Sequence, residues 1–367
     1  MIVCLLLVFS AIYLVMILSF AGASASTKII RDKGFRPRVA IVIAARNEEK
    51  HIGACLNSIV ALRYPAELLD IVVVDDRSTD RTAEVIARFT ENYRHLRALR
   101  IGSATDLPPG KTNAVMCGVE LSRGEIIMFT DADCTVPPDW VENIVSHYSD
   151  PSVGVVAGFT SLAGDSRFEQ TQALDWFVLT SVAGATARLG FPVTAIGTNL
   201  SVRRQAYDSV GGYRKIPFSV TEDYALFHAV TSSENWLARF SMDPNTLVRS
   251  AACGTLRQLF SQKKRWFTGG RRMDAKSLFI FSFPYMFNVL ILVGAFVSPL
   301  WALGIALAVK LIADFLLCLP SLIRFRRLSL VSVYPLFEVY YYTYVLLFPP
   351  LVLFGGEITW KETKFRG

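Results

Sequence analysis

The apolar segment at the start of the chain most constrains what the chain can fold into. Residues Ile2 to Ala21 carry no charge and are almost wholly apolar. A helix of this length rises about 30 Å, the thickness of the hydrocarbon core of a bilayer. No Lys or Arg precedes the segment, and basic residues follow it at Lys28, Arg31, Lys33, Arg36 and Arg38. We therefore predict a transmembrane anchor over residues 1–24 rather than a cleaved signal peptide, with the following domain facing the cytoplasm.

Apolar sequence returns in the last quarter of the chain. No charge occurs from Ser277 to Val309, and a further apolar segment runs from about Trp301 to Leu319. The second segment contains Lys310 and Asp314, whose i,i+4 spacing predicts a structural charge pair on one helix face. Together with the sequence that follows, these segments predict about three transmembrane helices over residues 277–356.

The last apolar segment is less regular, because Pro349-Pro350 interrupts the stretch from Val333 to Gly356. Two prolines are expected to break a helix, so a re-entrant hairpin is an alternative to a full span before the tail of residues 357–367. The formal net charge is +7, and much of the basic excess lies beside apolar segments, as at Arg324, Arg326 and Arg327. This distribution indicates an anionic membrane surface as the partner and not nucleic acid.

The sequence between the two apolar regions alternates strand and helix patterns. Strands are predicted at Val39–Ala45, Ile71–Val74 and Ile126–Thr130, and helices at Glu48–Leu62, Thr79–Phe89 and Lys111–Leu121. This alternation predicts an α/β domain whose mostly parallel sheet has helices on both faces.

Polar clusters follow each predicted strand directly. The first strand ends in Ala45-Arg46-Asn47-Glu48-Glu49, the second in Asp75-Asp76-Arg77-Ser78, and the third in Asp131-Ala132-Asp133. A single acidic residue at such a position often caps a helix, but three clusters at one sheet edge predict a ligand site. Asp131 and Asp133 point to the same side of an extended backbone, where two carboxylates can hold a hard divalent cation.

These clusters belong to a longer series that resembles the family 2 glycosyltransferases. The matching segments, in the family's order, are AARNEE (44–49), VVVDDRSTDRT (72–82), PPGKTNAV (108–115), FTDADC (129–134), GTNLSVRR (197–204), TEDYAL (221–226) and QKKRW (262–266). The resemblance implies an inverting enzyme with a nucleotide-sugar-binding GT-A domain over residues 36–254. Residues 255–275, which contain the QxxRW element, are then expected to form an interfacial amphipathic helix.

The resemblance also implies roles for individual residues on the donor side. The nucleoside would lie at Asp75 and Asp76, with Ala45, Asn47 and Glu48 lining the same pocket. Lys111 would reach toward the donor, Asp131 would contact its sugar or ribose, Arg265 would bind its diphosphate, and Asp133 would bind Mg²⁺ or Mn²⁺. Arg46 departs from the family pattern, since many members carry an aromatic residue beside the nucleobase.

On the acceptor side, the resemblance implies a pocket formed by Gly197, Thr198, Asn199, Glu222, Gln262 and Trp266. Asp223 would be the general base that removes the proton of the attacking hydroxyl, with Glu222 as its competitor for that role. Attack opposite the diphosphate inverts the anomeric centre, so an α-linked donor gives a β-linked product.

The layout of one anchor, QxxRW and a few C-terminal spans is similar to that of glycolipid glycosyltransferases of the ceramide glucosyltransferase type. We therefore expect a metal-dependent hexosyltransferase that moves a sugar from a UDP-sugar to the hydroxyl of a membrane lipid. The alternative is a processive β-polysaccharide synthase, a class that shares these motifs but generally carries more spans.

Overall fold

A computed structural model describes residues 1–28, 32, 34–102, 110–270, 273–353, 358–360 and 363–365, with side chains described as far as residue 350. Arg31 and Lys33, two of the charges behind the predicted orientation, lie outside the described residues. So do Pro108 and Pro109 of the PPGKTNAV segment.

A mixed seven-stranded sheet forms the centre of the globular part. The strands of the globular part are β1 (Val39–Ala45), β2 (Leu69–Asp76), β3 (Leu96–Ile101), β4 (Ile126–Asp131), β5 (Val153–Gly158), β6 (Thr160–Ala163), β7 (Leu200–Arg203), β8 (Leu237–Ser241) and β9 (Val248–Ala251). The sheet order is β3-β2-β1-β4-β7-β5-β8, while β6 and β9 pair separately. Only β7 runs antiparallel to its neighbours, β4 and β5. The predicted α/β architecture with a mostly parallel sheet is confirmed.

Helices cover both faces of this sheet, which is why its inner strands are continuous apolar runs. They are α2 (Ile52–Val60), α3 (Thr82–Asn92), α4 (Lys111–Leu121), α5 (Trp140–Val145), α6 (Arg167–Arg188), α7 (Arg204–Ser209), α8 (Gly212–Lys215) and α9 (Glu222–Thr231). α4 approaches the sheet closely at Gly118, where an added Cβ would lie 2.5 Å from Val42 Cγ1. This close approach, which also involves Val74 of β2, packs α4 directly on β1 and β2.

Within the part of the chain that the structure describes, four helices are long and apolar enough to cross a membrane. They comprise α1 (Ile2–Ser26), α11 (Ala275–Val297), α12 (Leu300–Arg324) and α13 (Tyr334–Leu353), with the short helical segment Leu328–Val333 extending the last span. α10 (Leu256–Gly270) precedes them and carries the QxxRW element. α1 packs against α11 through ring contacts of Phe9 with Phe283 and of Tyr13 with Phe287. They are the candidates for the expected anchor and the expected C-terminal spans, which stay predictions.

The predicted pair of Lys310 and Asp314 is confirmed, with a nitrogen–oxygen distance of 2.7 Å. The sequence reading missed its further partners. Glu338 of α13 lies 2.6 Å from Lys310 Nζ, and the hydroxyl of Tyr13 in α1 donates to Asp314. These buried side chains therefore connect three of the four candidate spans, α1, α12 and α13.

The expectation of a break at Pro349-Pro350 is wrong, because α13 continues through both prolines. Each proline removes one backbone hydrogen bond, but the helix is held by packing beside them. Phe348, directly before the pair, contacts Phe260 and Phe267 of α10. Of the predicted tail 357–367, two short segments are described, and they pair as the antiparallel strands β10 (Ile358–Trp360) and β11 (Thr363–Phe365).

Candidate active site

The carboxyl ends of β1, β2 and β4 lie side by side, as predicted. In the register of the sheet Ala45 pairs with Asp75, and Ala44 pairs with Asp131. These ends border a cavity of about 170 Å³. Of the predicted site residues, the cavity is lined by Ala45, Glu48, Asp76, Lys111, Asp131, Asp133, Gly197, Thr198, Glu222, Asp223, Gln262, Arg265 and Trp266.

The acidic edge of the cavity is formed by Glu48, Asp131 and Asp133. Partial burial, together with the charges of Asp131 and Glu48, raises the pKa of Asp133 to about 6. Such mutual repulsion between carboxylates is relieved by a bound cation. Among the described residues, no group of three or more His, Cys, Asp or Glu side chains is arranged to hold a metal ion. Carboxylate oxygens are the ligands that a hard divalent cation such as Mg²⁺ prefers, so the donor chemistry of this edge fits such an ion.

Lys111 connects this acidic edge to the opposite wall. Its Nζ lies 2.7 Å from Asp131 Oδ1 and 2.9 Å from Glu222 Oε1. Burial alone would lower the pKa of Lys111, but the charges of Asp131, Glu222 and Asp223 outweigh it and raise that pKa. Lys111 is thus a permanent cation between the two acidic walls.

Asp76 provides the predicted nucleoside end of the cavity. Its Oδ1 accepts a hydrogen bond from Arg77 Nε at 2.8 Å, whereas its buried Oδ2 accepts none from the described residues. Arg46, which also lines the cavity, lies with Nη1 4.0 Å from Asp76 Oδ2. Asp76 Oδ2 therefore lies near the guanidinium of Arg46 without accepting a hydrogen bond from the described residues.

Asp75 and Asn47 were predicted at the same pocket but do not line the cavity. Asp75 Oδ1 accepts from the backbone N–H of Ser78. Asn47 has a φ of 54°, its N–H donates to Ser78 Oγ, and its Oδ1 accepts from the N–H of Thr79. Asn47 therefore joins the loop after β1 to the loop after β2, whereas Asp75 orders the loop after β2 itself.

Asp223, the predicted base, lies in the first turn of α9. Its Oδ2 accepts from the N–H of Gly197 at 2.6 Å, and its Oδ1 accepts from the N–H of Tyr224 at 2.8 Å. Burial and the neighbouring charge of Glu222 raise the pKa of Asp223 to about 6. A carboxylate with a raised pKa, fixed in orientation by two backbone donors, is suited to accept a proton near neutral pH.

The GTN segment divides between the cavity and the core. Gly197 and Thr198 line the cavity, but Asn199 does not. Asn199 is buried, and its side chain accepts from Trp140 Nε1 and donates to the carbonyls of Phe159 and Thr246. The side-chain amide of Asn199 therefore forms hydrogen bonds within the protein that hold this wall of the cavity in place.

α10 contributes Gln262, Arg265 and Trp266 to the lining of the cavity. Gln262 Oε1 is buried and accepts no hydrogen bond from the described residues. Trp266 contacts Trp176 of α6 with ring centroids 5.5 Å apart, and Trp176 also lines the cavity. Sequence reasoning missed Trp176, which belongs to no motif and reaches the site only through the packing of α6 on α10.

Two family models match the chain. "Glycosyl transferase family 2" matches residues 40–211, and "Glycosyl transferase family group 2" matches residues 126–355. Together these ranges run from residue 40 to residue 355 and include every segment of the site described above.

Curated relatives and a solved structure are also similar. A "Beta-monoglucosyldiacylglycerol synthase" of Synechocystis sp. is 28% identical over 242 residues, 64% of this chain and 48% of that protein. A "Poly-beta-1,6-N-acetyl-D-glucosamine synthase" of Staphylococcus aureus is 24% identical over 250 residues, 66% of this chain and 56% of that protein. The chain therefore matches about half the length of these relatives.

Among solved structures, the mannosyltransferase PcManGT of Pyrobaculum calidifontis, in complex with GDP-Man and Mn²⁺, has a TM-score of 0.63 at 17% identity. The alignment covers 93% of this chain and 99% of that one. At this level of identity the likeness concerns the fold.

Proposed function

The chain belongs to the family 2 glycosyltransferases, and we propose that it transfers one sugar from a UDP-sugar to a hydroxyl of a membrane lipid, giving a β-linked glycolipid. The observation that carries this proposal is the composition of the cavity. The α/β domain contributes acidic residues, and α10, which packs on the apolar helix α13, contributes the opposite wall. A donor in the sheet-edge part can thus meet an acceptor that arrives from the bilayer.

The chemistry assigned to the chain's own residues begins at Asp223. Its carboxylate takes the proton of the acceptor hydroxyl, and the oxygen of that hydroxyl attacks the anomeric carbon. The bond from the anomeric carbon to the donor diphosphate breaks, and its electron pair leaves with the nucleoside diphosphate. Arg265 is placed to stabilise that leaving group through charge-assisted hydrogen bonds.

The acidic edge supports a divalent cation, Mg²⁺ or Mn²⁺, held by Asp133. When bound, the cation would neutralise charge on the departing diphosphate. Asp131 contacts the donor sugar or ribose in this proposal, and Lys111 Nζ forms an ion pair with Asp131 Oδ1 at 2.7 Å. Asp76 accepts a hydrogen bond from the nucleobase in this proposal, since its Oδ2 has no hydrogen-bond partner among the described residues.

A lipid acceptor is supported by the similarity to synthases that are named for monoglucosyldiacylglycerol. Orientation follows from the basic residues after α1 that are described, such as Lys28, Arg36 and Arg38, which favour the cytoplasmic side. The proposed enzyme is therefore an integral membrane protein with its catalytic domain in the cytoplasm.

A processive polysaccharide synthase is the second candidate, favoured by the similarity to the Staphylococcus aureus synthase. The two candidates differ in the product, because a processive enzyme keeps its acceptor bound through many transfers. Product size therefore separates them.

The test is a transfer assay with purified protein in detergent, Mg²⁺ or Mn²⁺, labelled UDP- and GDP-sugars and total membrane lipid. Label in the organic extract is expected, and Asp223→Asn should abolish it. Asp208→Asn, which changes an exposed carboxylate outside the cavity, is the matched control and should retain activity. Label confined to a polymer that resists organic extraction would contradict the lipid acceptor.

A further inference from the structure

α10 contains a buried lysine that the reaction does not use. Lys263 is only 4% exposed, although it lies between Gln262 and Arg265 in an otherwise amphipathic helix. The same helix exposes Leu256 and Phe260, at 74% and 44%. A lysine is rarely buried to this degree unless its charge is paired, so its surroundings have to explain it.

The ammonium of Lys263 is held by partners from two other helices. It donates to Asp175 Oδ2 of α6, a carboxylate that also accepts from the hydroxyl of Tyr340 in α13 at 3.4 Å. Lys263 Nζ lies 4.8 Å from the ring centroid of Tyr344, also in α13. Burial alone would lower the pKa of Lys263, but the charge of Asp175 outweighs it and keeps the lysine protonated.

The same ammonium lies against the active-site tryptophan. Lys263 Nζ is 4.7 Å from the ring centroid of Trp266, within cation–π range. Trp266 in turn contacts Trp176, the residue next to Asp175. The ion pair therefore fixes α10 against α6 at the point where both helices contribute a cavity wall.

α10 is also placed closely at its other end. A Cβ on Gly269 would lie 2.0 Å from Thr221 Oγ1, and Thr221 directly precedes Glu222 and Asp223. The helix thus has little freedom to shift without disturbing the segment that carries the base. A contact that sets the position of α10 sets the distance between Arg265 and Asp223.

From this geometry we propose that Lys263 is a positioning residue. Its buried ion pair with Asp175 fixes the positions of Gln262, Arg265 and Trp266 in the active site and connects α10 to the apolar helix α13. The inference rests on the proposed function, since it assumes that these three side chains face donor and acceptor. Lys263 would affect catalysis indirectly, through the positions of Gln262, Arg265 and Trp266.

The test compares Lys263→Met, Asp175→Asn, the double variant and Lys263→Arg, with Arg257→Met as the control. Arg257 lies on the exposed side of the same helix. Lys263→Met is expected to lower kcat about 10- to 100-fold through misplacement of catalytic groups, with the donor KM changed less than about 3-fold. Lys263→Arg keeps the charge, so its kcat should stay within about 10-fold of the parental value. Arg257→Met should have the parental kcat.

The double variant separates a functional pair from two independent changes. Removing one partner leaves a buried unpaired charge, whereas removing both does not. The double variant should therefore be at least as active as Asp175→Asn alone. Losses that multiply in the double variant would contradict the proposal, as would a Lys263→Met variant with the parental kcat.

An activity-independent readout keeps the inference testable if no acceptor is found. Titration calorimetry with Mn²⁺ compares uridine, which lacks phosphates, with UDP. Lys263→Met should weaken UDP binding about 5-fold or more through displaced Arg265, with uridine binding unchanged. Equally weakened binding of uridine and UDP would indicate general destabilisation and overturn the proposal.

A parent protein that binds UDP but transfers sugar to no lipid would refute the proposed function. The comparison of UDP with uridine binding would still test the role of Lys263.

Discussion

The substitution Gly197→Ala tests whether Asp223 acts from a closely defined position. A Cβ added at Gly197 would lie 2.8 Å from both Cβ and Oδ2 of Asp223. Carbon atoms in ordinary contact are about 3.5–4.0 Å apart, so Asp223 or Gly197 has to move by roughly 1 Å. The backbone N–H that donates to Asp223 is retained, so the change affects the position of the base and not its chemistry.

A displacement of about 1 Å in a catalytic group can cost about 100-fold in rate. We therefore expect the kcat of Gly197→Ala to fall between about 10- and 100-fold. Overpacking of this kind costs about 1–3 kcal/mol of stability, which lowers the melting temperature by several degrees at most. UDP binding should stay within about 2-fold of the parent, since Asp76 lies at the other end of the cavity.

The assay measures kcat and UDP affinity on the same purified preparation, with Gly53→Ala as the matched control. At Gly53 an added Cβ would meet Val85 Cγ1 at 3.8 Å, an ordinary contact, so both quantities should remain parental. Parental turnover in Gly197→Ala would refute the reasoning. It would mean that the rate does not depend on the position of Asp223 within about 1 Å.

Three further predictions concern the reacting groups themselves. Asp223→Asn should lower kcat by at least about 100-fold with nearly unchanged nucleotide affinity, because only the base function is removed; turnover near the parental value would contradict the assignment. Asp133→Ala should abolish the dependence of donor binding on Mn²⁺ in calorimetry, and full activity of the parent enzyme in chelator would remove the metal from the proposal. The base acts only when deprotonated, so the rate at saturating Mn²⁺ should fall as pH drops below about 6, the raised pKa of Asp223; a rate independent of pH between 5 and 7 would argue against Asp223 as the base.

The local sequence pattern was sufficient to predict the strand and the helix that carry residues of the proposed donor site. β1 and α4 have the predicted bounds, Val39–Ala45 and Lys111–Leu121. Their apolar runs and turn residues are consistent with burial on the sheet, so propensity and packing favour the same structure. The convergence of Asp76, Asp131 and Asp133 followed from the rule that parallel strands present their carboxyl ends at one edge.

The sequence reading was less accurate where tertiary hydrogen bonds compete with helix formation. α2 begins at Ile52 and not at Glu48, because the preceding loop bonds to the loop after β2. The N–H of Glu48 donates to Thr82 Oγ1, and the N–H of Glu49 donates to Asp80 Oδ2. These partners lie more than thirty positions away, and no local periodicity reveals them.

Contacts between distant charges were the other part that the sequence could not provide. Lys263 and Asp175 are separated by 88 positions, and Lys310 and Glu338 by 28. A charged residue in an apolar setting predicts that a partner exists, but only the packing of the helices identifies it. The same holds for Trp176, which the packing of α6 brings to the cavity.

The most direct test of the central claim is the structure of the product formed in bilayer nanodiscs. The parent protein would receive a UDP-hexose, Mn²⁺ and a defined diacylglycerol, and the extracted lipid would be analysed by mass spectrometry and by the anomeric proton coupling in NMR. The account predicts a lipid that carries a single hexose in β linkage. A lipid with an α-linked hexose, or label found only in a long polymer, would contradict it.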